Sequence, residues 1–120
     1  MVNPSAQQMQ GYIAGARIRQ QQQQQALEQQ RQSARAVAYE AAQLLKTEFG
    51  ASRVVLFGSA LAGPWHEQSD IDLAVWDLPE KDYLAAVVRL LDLSEFSIDL
   101  VNAETASDYL QSAITQGQPL

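Results

Sequence analysis

The chain has 120 residues, 47% of them hydrophobic, no cysteine and a net charge of -6. That length suits one compact domain, whose folding buries roughly two-thirds of the chain's surface. The lack of cysteine excludes disulfide staples and thiolate metal sites, and no apolar run approaches the roughly 20 residues of a membrane span.

The opening stretch, Met1 to Gln10, is polar and lacks the basic-then-apolar layout of a secretory signal, so a soluble cytoplasmic protein is expected. Residues from about 6 to 49 read as helix with a weak middle. The second part is the stronger: Val37, Ala41, Leu44, Leu45 and Phe49 recur at helical spacing, Lys46 lies near the end and Gly50 is the expected stop. The first part holds Gln20 to Gln25 and further glutamines at 29, 30 and 32. Glutamine is a fair helix former, but only Tyr12, Ile13 and Ala16, with an isolated Leu27, offer apolar surface. Residues 1–34 therefore form a Gln-rich arm, either a helix that frays or docks on another chain, or a disordered leader. The body is 35–120.

Charge divides along the same line. Residues 1–35 set Arg17, Arg19, Arg31 and Arg35 against Glu28, a net +3, while the rest holds four cations and thirteen acids, a net -9. An acidic body repels a polyphosphate backbone, so no direct nucleic-acid binding is expected there.

In the body, Val54-Val55-Leu56-Phe57 is a short apolar run, β-branched at its two valines and ending at Gly58, as a buried strand would be. Residues 59 to 63 suit a short helical turn before Gly63-Pro64 breaks it. Asp70 to Trp76 alternates as a second strand. Pro79 opens a helix continued by Tyr83, Leu84, Val87, Val88, Leu90 and Leu91, Ser97 to Val101 is a third strand, and Ala103 to Thr115 is a last helix closed by Gly117 and Pro119. The alternation implies an α/β layer fold, helices packed on a small sheet.

The second strand carries the chemistry. Alternation puts Asp70, Asp72, Ala74 and Trp76 on one face and Ile71, Leu73 and Val75 on the other. Two carboxylates this close repel, and burial raises the cost; a hard divalent cation with oxygen ligands relieves it. Asp99, between Ile98 and Leu100, repeats the logic on the third strand, and three acids could hold two ions for phosphoryl chemistry. Gly58-Ser59 ends the first strand, where glycine lets a phosphate approach the backbone and serine adds a hydroxyl donor. The remaining polar loop residues read more plainly: His66 as a surface loop histidine, Trp65 and Trp76 as packing, Ser69 as a turn residue.

Gly58-Ser59, ten residues, then Asp70-Ile71-Asp72 is the pattern GSX10DXD, and LFGSALAGPWHEQSDIDLAVW resembles the minimal nucleotidyltransferase (MNT) domains of the DNA polymerase β-like superfamily over residues 35 to 120. The resemblance implies a mixed rather than parallel sheet. It implies that Gly58 and Ser59 bind the β- and γ-phosphates of ATP, that Asp70 and Asp72 hold magnesium, two ions in all, and that Asp99 completes the acidic set and positions or deprotonates the acceptor. Many members read GSRARG after the strand; here the two arginine positions are Ala60 and Ala62, which removes two phosphate partners. Stand-alone MNT proteins are similar to the antitoxin half of HEPN–MNT toxin–antitoxin pairs, so the resemblance implies AMP transfer from ATP to a tyrosine hydroxyl of a helical HEPN toxin. The alternative is an antitoxin that neutralises its partner by occlusion without chemistry. The arm could dock the partner or pair two copies.

Overall fold

A computed structural model describes residues 5–120; the first four residues of the arm and of the leader stretch Met1 to Gln10 lie outside it. One helix, α1, runs unbroken from Ala6 to Phe49. Ser5 caps its start, accepting from the Gln8 N–H at 3.1 Å, while the Gln8 side chain accepts from the Ser5 N–H at 2.9 Å, so two orphan donors are met reciprocally. Gly50 ends it in the left-handed region at φ 74°. The glutamine run does not interrupt it, nor does the 34/35 boundary.

Only the C-terminal part of α1 is seated. Ala34, Ala38, Ala41, Ala42 and Leu45 are wholly buried against the sheet, and small residues at successive turns let the helix axis come close. At the far end Met9, Tyr12 and Ile13 are exposed. Among the described residues no helix is long and apolar enough to cross a membrane.

The sheet comprises β1 (Arg53–Phe57), β2 (Ile71–Trp76), β3 (Ile98–Asn102) and the two-residue β4 (Gln118–Pro119), in the order β3-β2-β1-β4. β1 is antiparallel to β2 and β4, and β2 is parallel to β3, so the sheet is mixed as expected. The crossover between the parallel pair is α2 (Glu80–Leu91), led by Pro79, whose ψ of 139° keeps it just outside the helix. α1 and α2 cover one face through Val54, Leu56, Ile71, Leu73, Val75 and Leu100. Leu45, Leu56, Ile71 and Leu73 are the largest of the fully buried side chains, each contributing about 2–3 kcal/mol by removal from water. A smaller cluster, Val55, Phe57, Ala74, Ala103 and Ile114, covers part of the other face.

The segment after Gly58 is a single turn, as read from the sequence, the Gly58 carbonyl accepting from the Leu61 and Ala62 N–H groups. Two local readings need correction. The last helix is two pieces: Asn102 caps a 3-10 turn at Ala103–Thr105, Ala106 is extended, and Ser107 caps α3 (Asp108–Thr115) by accepting from the Leu110 N–H. Gly117 and Pro119 do more than close the chain. They bring β4 against Val55 and Leu56, and Gly117 lies so near the Leu56 carbonyl oxygen that a Cβ would stand 2.7 Å from it.

Candidate active site

The alternation that buries Ile71, Leu73 and Val75 under α1 and α2 turns the intervening side chains to the opposite face. Strand register then aligns three residues across the sheet: Phe57 pairs with Asp72, and Asp72 pairs with Asp99. Parallel neighbours in register hold side chains about 5 Å apart, so the two carboxylates are forced together by backbone pairing alone.

Asp72 is half-buried, and its pKa rises from 3.8 to about 6, first by burial and then by the charges of Asp99 and Asp70. Gly58 closes against it. A Cβ on Gly58 would stand 2.2 Å from the Asp72 Oδ2, and the residue sits at φ 78°, where side chains are strained. Glycine is therefore required twice over. The following residue, Ser59, heads the turn, where a backbone N–H has no partner within it. Gly58, Asp72 and Asp99 line one cavity of about 250 Å³.

Asp70 stands apart from this pair. It precedes β2 and is exposed, and it lines a different cavity of about 390 Å³ with Gln30, Glu67 and Glu95. Its charge still reaches Asp72. Among the described residues no group of three or more His, Cys, Asp and Glu is arranged to hold a metal ion by itself. A magnesium-type site does not require such a group, because one or two carboxylates can share the ion with water and substrate phosphates. The donor set fits: oxygen ligands only, and a repulsion around Asp72 that a cation would relieve.

The turn is held from behind by residues that local sequence patterns do not single out. Arg35 of α1 donates from Nε to the Ala60 carbonyl at 2.8 Å and from Nη2 to the Leu61 carbonyl at 2.6 Å, and Arg31 donates to the Gly63 carbonyl. Their signal is faint but present, since both flank the apolar stripe of α1 and so border its buried face. Ala60 is wholly buried in the core, so an arginine there has no room in this packing. Trp65 is also buried; its Nε1 donates to Gln30 at 3.0 Å and its ring packs on Phe96 at 6.3 Å between centroids. Ser69 accepts from the His66 N–H, His66 itself is exposed, and Trp76 lies under the Arg53 guanidinium at 4.5 Å. On the α2 side, the Tyr83 hydroxyl donates to the Leu100 carbonyl, and burial followed by the Asp99 charge pushes its pKa up.

Comparison with known proteins identifies the family and the fold. The family model described as Polymerase beta, Nucleotidyltransferase matches residues 40–120. No curated protein matches. Among solved structures, a chain of the toxin–antitoxin MntA-HpeT, in a variant with two aspartate-to-glutamate substitutions, is 26% identical, with a TM-score of 0.58 over 68% of this chain and 70% of that chain. A candidate minimal nucleotidyltransferase is 27% identical, with a TM-score of 0.55 over 78% of this chain and 93% of that one.

Proposed function

This chain belongs to the polymerase β-type nucleotidyltransferase family, and on that footing we propose that it transfers AMP from ATP to a tyrosine hydroxyl of a HEPN-type toxin, acting in the cytoplasm as its antitoxin. The observation that carries the reading is the register pairing of Asp72 with Asp99 beside Gly58, in a chain similar to a member of a toxin–antitoxin pair.

In this reading the Gly58 backbone and the Ser59 N–H and hydroxyl take the β- and γ-phosphates. Asp72 and Asp99, with Asp70 at the margin, would hold magnesium, two ions in all. Magnesium, when bound, would neutralise triphosphate charge and ease the departure of pyrophosphate. Asp99, the more exposed acid of the paired two, accepts the proton of the incoming hydroxyl. The hydroxyl oxygen bonds to the α-phosphorus as the α–β bridge breaks, and pyrophosphate carries away the electron pair. Positioning and charge neutralisation supply most of the acceleration. Partner, magnesium and labelled ATP should give labelled partner; an unlabelled partner beside an active control transferase rejects the proposal.

One observation favours a second reading, an antitoxin that works by occlusion. The turn offers no guanidinium of its own to phosphate, since Ala60 is buried and Arg35 is engaged with carbonyls. Asp70→Asn with Asp72→Asn separates the two: neutralisation that persists in the double variant belongs to occlusion, and neutralisation that disappears belongs to chemistry.

A further inference from the structure

The stripe of α1 that seats on the sheet continues up the arm beyond the body. Ala34, Val37, Ala41 and Leu44 recur at alternating steps of three and four, and all four pack in the core. Carried toward the N-terminus, the same steps run through Gln30, Leu27, Gln23 and Gln20 to Ala16, Ile13 and Met9. Met9 and Ile13 are each 47% exposed, and Tyr12 beside them 71%. Two helices pack along a stripe of this spacing.

Charge is laid out along the stripe in complementary halves. Arg17 and Arg19 flank it on either side, and among the described residues neither is in an ion pair. Toward the body, Glu67 lines a cavity with Gln23, Ala26, Leu27 and Gln30 of the helix. A neighbouring cavity adds Asp70 and Glu95, and among the described residues none of these three acids is in an ion pair. A straight rod cannot turn its basic end back onto acids that lie along its own flank.

We propose that the arm pairs with the arm of a second copy, antiparallel and centred on the glutamine run. A two-fold axis there lays Ala16 of each copy on Leu27 of the other and Gln20 on Gln23, so apolar meets apolar and amide meets amide. The same register brings Arg19 to the level of Ala26 in the other copy, beside Glu67, and the ion pair forms twice. The overlap ends before Ala34, which its own body already buries; from Ile13 to Gln30 it is about 27 Å long. Antiparallel packing sets the two bodies at opposite ends, which separates their like charges of -9 each; a parallel pair would bring them together. Asp72 and Asp99 lie on the other face of the sheet, so the pairing is independent of the transferase reading.

Light scattering from the full chain at low salt should give twice the 13.2 kDa of one copy, falling toward one copy on dilution and as salt is raised. Arg19→Glu and Glu67→Arg each set like charges together and should weaken the pair about ten-fold. Both substitutions in one chain should restore it to within about three-fold of the parent. Both side chains are exposed, and circular dichroism of each variant checks that the arm stays helical. The mass of one copy at every concentration overturns the pairing, and if the HEPN-type partner then protects the arm from protease, the arm belongs to that partner. A pair that neither single reversal weakens, or that the double reversal does not rescue, overturns it equally.

Discussion

Asp72→Asn should make the metal-free protein more stable at neutral pH, although it removes a residue placed at the centre of the chemistry. The carboxyl pKa rises from 3.8 to about 6, through burial first and the neighbouring Asp99 and Asp70 charges next. A folded pKa above the ordinary one means that the native state holds the proton more tightly than the unfolded chain. Stability therefore falls as pH rises through the window from 3.8 to about 6, and the whole penalty is present above it. At about 1.4 kcal/mol per pKa unit the ceiling is about 3 kcal/mol, and water around a half-buried carboxylate reduces this to about 1–2 kcal/mol. Asparagine keeps the shape and removes the charge, so in chelator at pH 7.5 the melting temperature should climb by about 5–10 °C. Urea denaturation at pH 7.5 and pH 4 is the assay, because most of the difference should be gone at the lower value. Adding magnesium at pH 7.5 should stabilise the parent and leave the variant unmoved. An asparagine variant no more stable than the parent at pH 7.5, or one with an equal advantage at pH 4, refutes the electrostatic account.

Gly58→Ala meets both a left-handed backbone and the Asp72 carboxylate, and should cost at least about 2 kcal/mol in urea denaturation; combined with Asp72→Ala the loss should be less than additive, a coupling that a double-mutant cycle reads directly. Arg35→Ala removes two charge-assisted hydrogen bonds to the Ala60 and Leu61 carbonyls, and should lower stability by about 2–3 kcal/mol while speeding amide exchange at Leu61 and Ala62. Arg35→Lys should recover only part of this, having no fork to span two carbonyls. Ala38→Leu overfills the close seat of α1 and should cost about 1–3 kcal/mol by thermal unfolding, with the far arm still helical by circular dichroism.

The strands and the acid-bearing face were readable because their information is local. Val54 to Phe57 is apolar, opens on two β-branched valines and is bounded by Gly58, and strict alternation in Ile71 to Trp76 says which side chains share a face. The placement of Asp70 was not readable from alternation: the strand begins at Ile71, and one residue before a strand the two-residue period no longer binds. β4 escaped because a two-residue strand has no period, and only its pairing with Val55 and Leu56 makes it one. Arg31 and Arg35 act on carbonyls about 25 to 32 positions away, a distance across which local spacing carries no signal. Ser107 is a cap that the reading of one continuous helix passed over, serine ahead of Asp108 at a helix start. It marks the break in what otherwise reads as one helix from Ala103 to Thr115.

The unseated length of α1 sets how the molecule moves through solvent. Its extents are 69 × 30 × 23 Å and its radius of gyration is 20.0 Å, where a ball-like chain of this length would have about 14 Å. A single copy so drawn out tumbles slowly about its short axes and elutes from a sizing column ahead of rounder standards of equal mass. Early elution alone would thus report the rod and not a pair of copies, and the count of protomers belongs to light scattering.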